Sequence, residues 1–74
     1  MSAYEGLKAH LAAGGVVKAG EGWDNIEKVV RILDEDNHPA LCIVIFIEKN
    51  TGAEKGISMS RRLIGHFFTA EEAS

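Results

Sequence analysis

The chain holds one cysteine, one proline, one tryptophan and one tyrosine among its 74 residues. The cysteine count removes a class of protein. A lone cysteine, Cys42, cannot close an internal disulfide, so a small fold stapled by its own bridges is excluded. The sequence shows no internal repeat, domain linker or low-complexity tract. No apolar run approaches the ~18 residues that span a bilayer, so no membrane partner is expected. Charge of one sign is also in short supply. A net charge of -3 supplies no overall electrostatic reason to bind DNA, RNA or an anionic membrane. Met1 to His10 lacks the basic-then-apolar order of a secretion signal. A single thiol and no targeting segment fit a cytoplasmic protein.

What remains is the composition of a globular domain, 46% hydrophobic and 26% charged. The length allows one domain, residues 1–74. A chain this short buries only about 60% of the surface it exposes when unfolded. Small domains offset that deficit with disulfides, metals or association. The first is excluded, and the second finds no ligand set below. Association, with a homodimer favoured, is therefore the expected means of stabilisation.

Ser2 reads as a helix N-cap, because its hydroxyl can accept from a free backbone N–H. Tyr4, Leu7 and Leu11 then share one helical face. Gly14 and Gly15 end the helix. Val16 and Val17 begin a short extended piece, and 20–22 reads as a turn. Residues 26–33 fit two templates. Ile26, Val29, Val30 and Leu33 make a helical face, while the β-branched content and the polar turn 34–39 favour a strand, which is preferred here.

Leu41 to Ile47 is the clearest element, a continuous apolar run read as a strand dry on both faces. Turn residues 49–52 and a second strand over 53–60 complete a hairpin. Residues 61–68 place Leu63, Ile64, Phe67 and Phe68 on one face of a short helix, with a final strand as the alternative. Residues 69–74 read as a frayed acidic tail. The expected fold is α+β: an antiparallel sheet of three to five strands, open or closed into a small barrel, with an N-terminal helix and a short C-terminal helix. The second face of such a sheet needs barrel closure or a second subunit, using the Cys42, Val44, Phe46 face or a strand edge.

The chemistry-bearing residues assemble into no catalytic pattern. His38 and Cys42 lack the further close ligands that zinc requires, and His10 and His66 stand apart from them in sequence. Cys42, inside the most apolar stretch, reads as a core side chain and not a nucleophile. Gly56-Ile57-Ser58-Met59-Ser60 ends in serine where a nucleophile elbow needs glycine. The Asp34–Asp36 run reads as a solvated turn without the terminal Glu of a calcium loop. Gly20-Glu21-Gly22 lacks the last glycine of a dinucleotide fingerprint. No catalytic residue, metal ligand or cofactor is assigned.

The candidate binding residues are Trp23, Arg61, Arg62 and His66. Trp23 is either a core-edge residue or an exposed anchor. Arg61 and Arg62, near Lys55, His66, Phe67 and Phe68, form the one basic cluster. Basic groups beside exposed aromatics hold single-stranded nucleic acid, whereas buried phenylalanines leave the arginines on a solvated flank. The leading expectation is a non-enzymatic interaction protein that self-associates through an apolar sheet face or edge. The alternatives are a nucleic-acid-binding regulator using Arg61 and Arg62, and a ligand-binding or enzymatic site formed between protomers.

Overall fold

The computed structural model describes residues 2–71. Its elements run α1 (Ala3–Ala12), β1 (Val16–Ala19), β2 (Ile26–Asp34), β3 (Leu41–Glu48), β4 (Glu54–Ser60), α2 (Ile64–Phe67) and β5 (Phe68–Glu71). Every strand pairing is antiparallel. β2, β3 and β4 form a three-stranded meander, and β1 pairs with β5 as a separate ribbon. The fold is α+β as expected, with its strands divided between two sheets and not closed into one ring.

The helix begins where the sequence places its cap. The Ser2 hydroxyl accepts from the Glu5 N–H at 3.2 Å. Tyr4 and Leu7 are buried, and Leu11 packs beside them. Gly14, at φ 87°, turns the chain out of the helix, and the Gly15 N–H closes on the His10 carbonyl at 2.8 Å.

β2 is a strand, and its ambiguity in sequence has a structural cause. Ile26 and Lys28 face the adjacent residues Glu48 and Ile47, and Val29 and Arg31 face Phe46 and Ile45. Glu27 and Val30 are therefore extra residues at two bulges. Each bulge stretches the alternation of a strand into a step of three. Ile26, Val29 and Ile32 all point inward at that step, which mimics a helical face.

β3 has one dry face, not two. Cys42 and Val44 are 0% exposed and Phe46 4%, whereas Leu41, Ile43, Ile45 and Ile47 are only half-buried. The side chains that cover Cys42, Val44 and Phe46 come from α1, β1, α2 and β5, chiefly Tyr4, Leu7, Val17, Ile64 and Phe68. This corrects the expectation of a strand dry on both sides. It also removes the Cys42, Val44, Phe46 face as a dimer surface, because that face is the interior of the domain. Each large aliphatic side chain taken fully out of water stabilises by about 1.5–3 kcal/mol. A single core on one side uses the helix and ribbon, and among the described residues no further element of comparable size covers the other.

The short C-terminal helix is present as expected, but it covers less of the segment than 61–68 and a strand follows it. The helix is a single turn, and Phe68 belongs to the strand that follows it. Leu63 lies outside the helix and is exposed. Residues 69–71, read from sequence as frayed, pair in register with β1, from Thr69 against Lys18 to Glu71 against Val16. Phe68 is buried and fixes the start of that strand in the core. The rest of the expected tail, 72–74, lies outside the described residues.

Candidate functional site

The outer face of the meander carries a row of apolar side chains that lie outside the core. Leu41, Ile43, Ile45 and Ile47 run down its centre. By register, β2 adds Leu33, Arg31 and Lys28 on one flank, opposite Ile43, Ile45 and Ile47. β4 adds Ser60, Ser58, Gly56 and Glu54 on the other, opposite Leu41, Ile43, Ile45 and Ile47. Leu33 is 44% exposed. None of these apolar residues belongs to the core cluster or packs against it.

Gly56 shapes that surface. A Cβ at this position would stand 3.0 Å from Ile45 Cδ1 and 3.4 Å from Ile43 Cγ2. The two isoleucines therefore lean over the glycine, and the β4 flank is low. The β2 flank, with Arg31, Leu33 and Lys28, is tall. One ion pair spans the face: Arg31 Nη2 lies 3.6 Å from Glu54 Oε1, across the intervening β3. Both partners are about half exposed, so the pair contributes little to stability by itself.

A second cluster lies on the covered side, where α1 meets the end of the meander. The Lys8 ammonium stands 5.0 Å and the Arg61 guanidinium 4.9 Å from the centre of the Tyr4 ring. Lys8 Nζ donates to Asp34 Oδ1 at 2.9 Å, and Arg61 Nη2 lies 3.7 Å from the same oxygen. Arg61 Nε donates to the Leu41 carbonyl at 2.7 Å. The Tyr4 hydroxyl is buried without a hydrogen-bond partner among the described residues. Cys42 lies within the field of this cluster. Burial pushes its thiol above the ordinary 9.0, Arg61 and Lys8 oppose that, and Asp34 adds to it. These contacts tie the helix to one end of the meander, where β2 and β4 finish and β3 begins, and burial holds Cys42 as a neutral core thiol.

The structure separates the residues that the sequence grouped together. Arg61 is committed to Tyr4, Asp34 and the Leu41 carbonyl. Arg62 is exposed, and its backbone N–H donates to Ser60 Oγ at 3.2 Å. Lys55 pairs with Glu48 at 3.0 Å. His66 is exposed on the short helix. Phe68 is buried and Phe67 half-buried against the core, so neither forms an open stacking platform beside the arginines. Trp23 is half-buried, with its ring 5.8 Å from both Phe67 and Phe68. It closes the edge of the core, the first of the two roles its sequence allowed.

Two sets of residues escaped the sequence reading. Tyr4 and Lys8 are four apart on α1, a spacing that brings side chains together, and this signal was available. The meeting of Asp34 with Arg61, and of Arg31 with Glu54, depends on strand register, and no local pattern encodes it. Among the described residues, no group of three or more His, Cys, Asp or Glu side chains is placed to hold a metal ion. Nor is any helix long and apolar enough to cross a membrane. Comparison with protein-family models, with curated proteins and with solved structures gives no match to this chain.

Proposed function

We propose that this domain is a non-enzymatic interaction protein that self-associates through the outer face of its meander. The observation that supports the reading is the row Leu41, Ile43, Ile45, Ile47, half-buried and outside the core, with exposed Leu33 beside it. Contiguous apolar surface of this kind marks contact sites on soluble proteins. Stacked sheets bury such rows at a spacing of about 10 Å. A second copy is the fitting occupant, because the face carries both halves of a charge pair on opposite flanks, Arg31 and Glu54. Such a surface can complement itself across a twofold axis.

Sedimentation equilibrium over a concentration series tests the reading. The wild-type chain is expected to move from 8.0 kDa toward twice that mass as concentration rises. Ile45→Lys, which places a charge in the centre of the row, is expected to hold the chain at 8.0 kDa while its circular dichroism stays unchanged. A wild-type chain still monomeric at about 1 mM, where an association worth about 4 kcal/mol is half complete, overturns it.

A further inference from the structure

Resting on the reading of the outer face as a self-association surface, we infer that the two copies stack with their β3 strands parallel, about a twofold axis running along the strand direction. In this arrangement Lys28 of each copy meets Glu54 of the other, with Arg31 in the adjacent row over Gly56.

The flanks of the face carry the argument. Opposite Ile43, Ile45 and Ile47 in turn, the β2 flank presents Leu33, Arg31 and Lys28, and the β4 flank presents Ser58, Gly56 and Glu54. The first flank is long-chained and basic at the register positions. The second is small and ends in a carboxylate. Glu27, the exposed extra residue of the first bulge, stands beside Lys28 but has no partner position on β3.

A twofold axis that brings two copies of one face together lies in the plane between them. If it runs along the strands, each β2 flank lies over the β4 flank of the other copy, row on row. Leu33 then meets Ser58, Arg31 meets Gly56, and Lys28 meets Glu54. Tall side chains fall on low ones and cations on carboxylates. The Ile45 side chains meet at the axis. The Arg31–Glu54 pair within each chain, 3.6 Å apart, can then exchange or share its carboxylate with the partner copy.

If the axis instead runs across the strands, β2 lies over β2 and β4 over β4 with the rows reversed. Centred on the Ile45 row, this sets Arg31 against Arg31 and Gly56 against Gly56. The first is a like-charge contact and the second a gap. Like charges brought together at an interface act against it, and an unfilled gap forfeits contacts. Only the axis along the strands makes shape and charge complementary at once. Aligned packing of twisted sheets, at about 30° between strand directions, is compatible with it.

Charge reversal tests the arrangement separately from the association. Two variants are compared by sedimentation with the wild type: Glu54→Lys, and the double change Lys28→Glu with Arg31→Glu. Each alone is expected to lose about tenfold or more in self-affinity, because like charges now face each other twice. The equimolar mixture is expected to associate as a heterodimer near wild-type strength. Each variant is checked by circular dichroism for a wild-type spectrum and melting transition. Undiminished self-association of Glu54→Lys overturns the inferred axis and leaves self-association standing. Loss in both variants without recovery on mixing also overturns it. A monomeric wild type overturns this inference together with the reading on which it rests.

Discussion

The Arg61 side chain is fastened at two points: its Nε donates to the Leu41 carbonyl at 2.7 Å, and its guanidinium carbon stands 4.9 Å from the centre of the Tyr4 ring. The neighbouring Arg62 side chain is exposed. Two adjacent arginines thus have different work, one holding α1 to the meander and one facing solvent.

Arg61→Ala is therefore expected to cost about 1–3 kcal/mol of stability, the sum of a cation–π contact, a charge-assisted hydrogen bond and a weak ion pair. Arg62→Ala is expected to stay within about 0.5 kcal/mol of wild type. Urea denaturation of both variants checks the contrast. Equal effects would show that Arg61 is not a structural strap.

Gly65 marks the closest approach of the two helices. A Cβ there would lie 2.6 Å from the Ala3 Cβ, so one of the two must move. Gly65→Ala is expected to destabilise by about 1–3 kcal/mol through overpacking. Ala3→Gly in the same chain is expected to restore part of the loss. Thermal melting of the single and double variants reads the coupling. A neutral Gly65→Ala would contradict the contact.

Cys42 is expected to report unfolding. Burial raises its pKa above 9.0 in the folded chain. The unfolded thiol ionises first, so the stabilising contribution of the buried neutral thiol is complete below the unfolded pKa. It is lost as pH rises through and above about 9. A thiol-reactive chromophore is expected to react slowly with the native chain and rapidly after urea denaturation. Rapid labelling under native conditions would place Cys42 outside the core.

At the other end of β3, Glu48 is held below the ordinary 4.5, first by hydrogen bonding from Lys55 and then from Thr51. The donors stand at 3.0 Å and 2.9 Å. A lowered folded pKa means stability present above the unfolded value and lost as pH falls through the folded one. The hairpin is expected to loosen on acidification below about pH 4.5, and Glu48→Gln is expected to flatten that part of the pH profile. Carboxylate chemical shifts followed by NMR titration give the check. An unshifted Glu48 titration would remove this contribution.

How much of this was legible in the sequence follows from the range of each signal. Ser2, Tyr4, Leu7 and Gly14 act within a few residues of one another, so α1 could be read complete. The hairpin of β3 and β4 was equally plain, because the apolar run and Gly52 with its turn lie side by side. β2 was obscured by its own bulges, since Glu27 and Val30 shift the inward residues to a step of three. β5 was missed because Thr69 to Glu71 carry no strand pattern of their own. They extend because β1, Lys18 and His10 hold them, with Lys18 3.3 Å from the Glu71 carboxylate and the His10 ring nitrogen 2.9 Å from its carbonyl.

The outer face was misjudged for a different reason. Leu41, Ile43, Ile45 and Ile47 are as apolar as the inward row, and composition alone says that both rows avoid water. It does not say whether the cover comes from the same chain. In the basic cluster the favoured reading placed the phenylalanines in the core, where Phe68 is buried and Phe67 packs beside it. It left both arginines solvated, whereas Arg61 follows the fold inward to Tyr4 and the Leu41 carbonyl, which sequence adjacency does not reveal.

The most direct measurement is an isotope-filtered NOE experiment on a mixture of methyl-labelled and unlabelled chains. Contacts between copies are expected among the methyl groups of Ile43, Ile45 and Ile47, with none from Val44. If instead no such contacts appear, the outer isoleucine methyls are broadened by a paramagnetic cosolvent, and the chain sediments at 8.0 kDa at every concentration, the meander's outer face is not where two copies meet.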